Sequence, residues 1–359
     1  MARLLERKDH PLISVVMPVY NSERYVADAI QSILVQTYPH FEFIIVDDGS
    51  TDDSPAVIRE FAARDARIHP FFLTHGGIAS ALNAGVALAR GNLIARMDAD
   101  DIALPERFVV QLAWMRRTEV DICGGCVKRF GSKNGLLWFP ETHEAIRYEL
   151  LFRIGSLDPT VLMRAEIIKT HLYDERAKHE NYEILTRLAP HYRMGNVPQV
   201  LLKHRCHTKQ IHIVQSVAFR AALSKFRRPY FHGLFPDATG QDYAALARIA
   251  ECEAFTDLAE LKQAGKWLVR LAQTPDNFLR QRMAQRWLAA CQRSAHLGLG
   301  CYRVYRQIAL QFGVAPNQRT SKLWLACVVR FRSNSRLYGY LLQVKRRMKR
   351  RPCLYPISL

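Results

Sequence analysis

The hydrophobic pattern of the first hundred residues switches repeatedly between two periods. Ile13 to Val19 is a nearly continuous apolar run rich in β-branched residues, and Asn21-Ser22 follows it with turn and N-cap chemistry. Tyr25, Ala29, Ile33 and Gln36 then fall about one turn apart with Val26, Ile30 and Leu34 beside them, a spacing that predicts a helix with an apolar stripe toward a sheet. A second run, Phe41 to Val46, stops at the polar turn Asp47 to Asp52 and is followed by a helical stretch over Ser54 to Arg64. Strands are predicted again at Ile68 to Leu73 and Leu93 to Met97, with a helix over Gly77 to Arg90 between them, and Pro105 opens another helix at its first turn. Such alternation predicts an α/β domain with a mainly parallel, Rossmann-like sheet flanked by helices, whose ligands gather at the carboxyl ends of the strands.

From about Asp121 the pattern loosens. Val127 to Phe139 reads as a hairpin around Gly131 to Gly135, Thr142 to Arg153 as a helix, and Thr160 to Met163 as a further strand. After about Ser216 the period is helical almost throughout, with breaks expected at Pro229, Pro236, Pro275 and Pro316 and no fixed repeat. Two domains are therefore expected, 1–216 and a mostly helical 217–359.

Charge sharpens that division. Residues 1–216 hold 26 Lys or Arg against 26 Asp or Glu, and residues 217–359 hold 25 against 7, so the whole excess of +18 lies in the second part. A neutral binding or catalytic domain followed by a basic segment implies an anionic partner, a membrane surface or a nucleic acid, with plain solvated surface as the competing explanation. The longest apolar runs, such as Trp324 to Val329, fall far short of the roughly 20 residues that cross a bilayer. Met1 to Pro11 carries Arg3, Glu6, Arg7, Lys8 and Asp9 where a secretion signal would be apolar, so a cytoplasmic chain is expected and its eight cysteines read as reduced thiols. Cys123 and Cys126 lack a second pair at zinc spacing and read as strand residues.

Both acidic turns, Asp47-Asp48 and Asp98-Ala99-Asp100-Asp101, sit at predicted strand ends. Three carboxylates within one turn after Leu93 to Met97 suit Mg²⁺ or Mn²⁺ completed by phosphate oxygens, and an acidic N-cap cluster for the helix at Pro105 is the alternative. An EF-hand is excluded, because counting from Asp98 the position of its glycine is Ala103 and that of its closing glutamate is Val109.

Four motifs taken together resemble the signature of glycosyltransferase family 2: Ile13 to Asn21, Ile45 to Asp52, Ala81-Leu82-Asn83 with Gly85 and Gly91, and Ala95 to Asp101. The likeness covers roughly residues 11–216. It implies a GT-A fold and transfer of a hexosyl or N-acetylhexosaminyl group from a nucleotide sugar, with inversion and with Mn²⁺ or Mg²⁺. By that resemblance Pro18, Tyr20 and Asn21 border the nucleotide, Asp48 accepts from N3–H of a uracil, Asp98 lies near the ribose or the metal's water shell, and Asp100 ligates the metal. Lys203-His204-Arg205-Cys206-His207 is similar to the family's Tyr-Arg-x-His element, which makes His207 a second holder of the metal or diphosphate; His204 replaces the tyrosine.

The chain departs from the family at His179 to Leu188, which resembles a Glu-Asp-Tyr-Asp/Glu-Leu-Trp-x-Arg-Leu stretch whose second acid is the general base. Asn181 stands there, and a carboxamide takes no proton at neutral pH. Glu180 is the nearest substitute, with Glu183 one turn on if the segment is helical, and a silent nucleotide-sugar-binding or scaffold protein is the alternative reading. Asp158 likewise replaces a histidine in the stretch Leu157 to Val161. The resemblance also implies a cell-surface glycan or lipid-linked acceptor. It favours a membrane over a nucleic acid as the anionic partner, through residues 340–359 at the inner face of the cell membrane.

Overall fold

The computed structural model describes residues 10–152, 159–207, 217–313 and 318–330. Strand β1 (Ile13–Val19) is buried along its whole length between β2 (Phe41–Asp47) and β4 (Leu93–Arg96), and β3 (Ile68–Phe72) lies outside β2, all four parallel. Unbroken apolar runs are what such doubly covered strands require. Helix α1 (Val26–Leu34) buries Ile30 and Ile33 in the core formed by Val15, Met17, Phe43 and Ile45. Helix α3 (Ile78–Leu88) comes so near the sheet that a Cβ on Gly85 would stand 2.4 Å from Val16 Cγ1. Helix α2 (Ser54–Arg64) has the bounds the pattern predicts.

Among the described residues nine strands form one sheet, ordered β3-β2-β1-β4-β8-β6-β9-β5, with β7 added to β6. Strand β5 (Ile102–Ala103) precedes α4 (Arg107–Thr118), and β6 (Ile122–Gly131) and β7 (Gly135–Leu137) make the expected hairpin. Strand β8 (Leu162–Arg164) enters antiparallel to β4 and β6, so the sheet is parallel on one side and mixed on the other. The long β9 (Met194–Cys206) runs parallel to β6 and antiparallel to β5. Helix α5 (His143–Glu149) is shorter than its apolar pattern and starts at a Thr142 cap; α6 (Ala165–Thr170) and α7 (Glu180–Leu188) follow.

Helix α8 (Val217–Leu234) corrects one expectation, since it runs straight through Pro229. Arg227 and Phe231, on either side of the proline, are buried, and Tyr230 donates its hydroxyl to the carbonyl of Arg147 at 3.1 Å, so packing holds the helix where its ladder lacks an N–H. The chain falls into two compact units divided at Pro236/Asp237, and α8 belongs to the first. The second contains α9 (Gly240–Ala250), α10 (Leu258–Ala272), α11 (Asn277–Arg293), α12 (Leu299–Ala309) and α13 (Gln318–Val328) around Leu261, Leu268, Met283 and Trp287. Thr239, Asp257 and Asp276 cap three of these helices, so the breaks at Pro236 and Pro275 fall where helices start; Pro316 lies outside the described residues. Among the described residues no helix is long and apolar enough to cross a membrane.

Candidate active site

The loops after β1, β2 and β4 open on the same side of the sheet, where the N-terminus of α7 and the end of β9 close a cavity of about 760 Å³. Pro18, Tyr20, Asn21, Asp48, Asp98, Asp100, Glu180, Asn181 and His207 all line it. The strand-end rule thus brings together side chains drawn from five segments of the sequence.

The cavity wall formed by the loops after β1 and β2 is tied by hydrogen bonds between side chains and backbone amides. Asn21 sits in the left-handed region at φ 48°, which asparagine tolerates, and its Oδ1 accepts the Thr51 N–H at 2.8 Å while its own N–H donates to Ser50 Oγ at 2.9 Å. Asp52 accepts from the amides of Glu23 and Ser54, both at 3.0 Å, which joins the first two loops again. Asp48 is almost wholly buried, and its carboxylate takes the amides of Gly76 and Gly77 at 2.8 and 2.9 Å. His75 Nδ1 lies 2.9 Å from Asp48 Oδ2, and the His75 ring stacks on the half-exposed ring of Tyr20 with centroids 4.2 Å apart. Asp47 turns away from the cavity to accept the Ser50 amide at 3.1 Å.

The acidic turn after β4 sends its three carboxylates to different partners, so they do not act together as one three-carboxylate metal site. Asp98 Oδ1 is 3.0 Å from Arg96 Nε, Asp100 Oδ2 is 3.1 Å from His207 Nε2, and Asp101 points inward to His204 Nδ1 at 3.0 Å and the Arg205 amide at 2.9 Å. None of them caps α4, whose first residue is Arg107, so the N-cap alternative falls. Burial pushes the Asp101 carboxyl up against the opposing pull of His204. Burial would lower His204, but the hydrogen bond and charge of Asp101, with Asp98 and Asp100 nearby, outweigh it and hold the imidazole well above its ordinary value. Arg205 fastens this turn to the loop after β1: its Nε donates to the Asp100 carbonyl at 2.9 Å, its Nη2 to Asp28 at 2.9 Å, and its guanidinium covers Tyr25.

Asp100 and His207 offer one oxygen and one nitrogen to the cavity at the separation of neighbouring corners of an octahedral Mg²⁺ or Mn²⁺ shell, about 3 Å. Among the described residues no third His, Cys, Asp or Glu completes a metal-ligating cluster, so the pair fits a divalent ion whose shell a substrate's phosphate oxygens and water would complete.

At the α7 end, Arg96 is buried and reaches both Glu180, Nη1 to Oε1 3.3 Å, and the Asn181 side-chain oxygen. Glu183 is on α7 but pairs with Arg187 at 2.7 Å and does not line the cavity. Asp158 lies outside the described residues. Sequence reading missed Arg96, His75 and His179, which line the cavity too. Arg96 carried a signal that could have found it, a cation inside an otherwise apolar strand.

Residues 14–196 match the family model described as Glycosyl transferase family 2. A glycosyltransferase of Haemophilus influenzae is 30% identical over 236 residues, which are 61% of this chain and 72% of that protein. The O-antigen biosynthesis glycosyltransferase WbnJ of Escherichia coli is 31% identical over 207 residues, 55% of this chain and 81% of that one. Among solved structures, S. aureus TarS 1-349 in complex with UDP-GlcNAc shares the GT-A fold at a TM-score of 0.55 and 17% identity, over 84% of this chain and 91% of that chain. Because the family model spans more than half of the sequence, this chain belongs to glycosyltransferase family 2.

Proposed function

We propose that this glycosyltransferase moves a hexosyl or N-acetylhexosaminyl group from a UDP-sugar to a cell-surface glycan or its lipid-linked precursor, with inversion and with Mn²⁺ or Mg²⁺ bound. The observation that carries the reading is the Asp100–His207 pair, 3.1 Å apart on the cavity wall opened by the nucleotide-facing loops. Tyr20 and His75 offer an aromatic face to the base, Asp48 accepts its N3–H, and Asp98 lies toward the ribose. A divalent ion held by Asp100 and His207 would neutralise charge on the diphosphate.

Glu180 takes the acceptor's hydroxyl proton. The acceptor oxygen then bonds to the anomeric carbon from the side opposite the diphosphate, whose C–O bond breaks and whose oxygen keeps the electron pair. Arg96 beside Glu180 holds the carboxylate in place, while Asn181 accepts from the same guanidinium and stays out of the proton transfer. The chemistry is assigned to residues 1–216. The name of WbnJ supports the acceptor class and the TarS complex supports the donor class. Residues 340–359, proposed to hold the protein at the inner face of the cell membrane, lie outside the described residues.

A second reading rests on the same Arg96: with Glu180 and Asn181 both engaged, the cavity binds a nucleotide sugar without turning it over. UDP release with Mn²⁺ and a panel of UDP-sugars separates the two. Turnover that is lost in Asp100→Ala and Glu180→Gln supports the transferase, turnover unchanged in Glu180→Gln removes the base, and tight UDP-sugar binding without release by the unmutated chain supports the silent protein.

A further inference from the structure

Helix α13 buries one side and leaves an apolar ridge on the other. Thr320, Leu323 and Cys327, three and four positions apart, are buried in the second unit. Trp324, Leu325, Val328 and the adjoining Val329 are 48, 57, 47 and 64% exposed. A helix anchored in this way normally turns polar residues outward, and here the polar neighbours of the ridge are the exposed Ser321, Lys322 and Arg330, of which the last two are cations.

The stretch of sequence that carries the ridge has charge of one sign. Asp276 is the last acidic residue of the sequence, and residues 277–359 hold 17 Lys or Arg with no Asp or Glu. The surface therefore suits a partner that is anionic outside and apolar within side-chain reach. A nucleic acid would satisfy the cations and could stack on Trp324, but it has no apolar layer for Leu325, Val328 and Val329. A second copy would bring the same cations against themselves. An anionic bilayer supplies both parts: phosphate headgroups for Lys322 and Arg330, an acyl boundary for the aliphatic residues, and between them the depth at which tryptophan accumulates.

We propose that α13 docks in the plane of an anionic lipid bilayer, with Trp324, Leu325, Val328 and Val329 entering its outer acyl region. Its 11 residues are too short to span, so the contact is peripheral. The ridge belongs to the second unit, and its docking does not depend on the donor or on any role given to the cavity.

The test uses the full chain without donor, mixed with vesicles of phosphatidylcholine alone or of phosphatidylcholine with phosphatidylglycerol. The expected result is flotation with the second kind only, with Trp324 emission, isolated as the difference between the chain and Trp324→Phe, shifted to the blue on binding. Trp324→Ser with Leu325→Ser should lose binding about tenfold or more at an unchanged melting temperature. Leu325→Ser with Val329→Ser gives the same comparison should the first variant melt early. Flotation that survives both variants, equal flotation with uncharged vesicles, or none with either overturns the proposal. So does a Trp324 already shielded from acrylamide before vesicles are added, which would mean that the chain's own residues cover the ridge. Salt-sensitive binding of an RNA oligonucleotide that the variants abolish, with no flotation, would assign the ridge to nucleic acid instead.

Discussion

Arg96 Nη1 lies 3.3 Å from Glu180 Oε1, although 84 positions separate the two residues in the chain. Their side chains are only 5 and 10% exposed, and the same guanidinium meets the partly exposed Asp98, so one buried cation balances two carboxylates. Removing one partner of such a cluster leaves uncompensated charge, which typically costs about 3 to 5 kcal/mol. Arg96→Met should therefore destabilise strongly, and Glu180→Gln in the Arg96→Met background should recover about 1 kcal/mol or more. Urea denaturation of the four proteins measures this coupling, and strictly additive effects would break the link between the pair.

The Asp100–His207 pair makes a separate prediction. If these two side chains hold the ion, then His207→Ala should raise the Mn²⁺ concentration for half-maximal UDP release by about 10- to 100-fold while saturating Mn²⁺ restores most of the rate. Chelation should abolish turnover in the unmutated chain. A His207→Ala enzyme with an unchanged Mn²⁺ titration would remove the histidine from the site.

Gly49 and Asp48 together set the loop that carries His75. Gly49 lies at φ +72°, and a Cβ there would stand 2.7 Å from the His75 backbone nitrogen, so Gly49→Ala combines strain with a backbone collision. Asp48→Asn removes one of the two carboxylate oxygens that take the Gly76 and Gly77 amides. Both variants should raise the donor KM by about tenfold, worth about 1.4 kcal/mol of binding, with a smaller change in kcat. Steady-state kinetics with varied donor gives the split, and a loss confined to kcat would point away from a nucleotide-binding loop.

How far the sequence could be read depended on whether the controlling interactions were local. Strands β1, β2 and β4 and helix α2 announce themselves, because a buried parallel strand needs an apolar run and a covering helix needs a stripe. The acidic turns were visible as chemistry at strand ends. What was not visible depends on pairings across the chain: the two-residue β5 exists because it meets Leu202 and Lys203 of β9, and α8 survives Pro229 because its flanks are packed. The same holds in the cavity, where Asp98, Asp100 and Asp101 look equivalent in sequence and are separated by Arg96, His207 and His204, which lie on different strands or loops. Period-based reading carries no information about such partners.

Glu42 offers a prediction about acid stability that is independent of the site. Its carboxylate, 6% exposed on β2, accepts Ser14 Oγ at 2.6 Å and both the amide and Nε of Arg90, at 2.7 and 2.8 Å. Burial alone would raise its pKa, but these hydrogen bonds and the Arg90 charge outweigh it and hold the carboxyl below its ordinary value of 4.5. A group depressed in the folded state adds stability above its unfolded pKa, and that stability is lost as pH falls through the folded one. Glu42→Gln keeps the shape and one acceptor, so it should be less stable than the unmutated chain by about 2 kcal/mol at neutral pH. The difference should shrink steadily once the pH drops below the ordinary glutamate range, because the native carboxyl is then neutralised as well. Urea midpoints measured at a series of pH values give this curve directly, and a gap that stays constant or widens toward acid would show that the Glu42 charge is not what the Ser14 and Arg90 contacts stabilise.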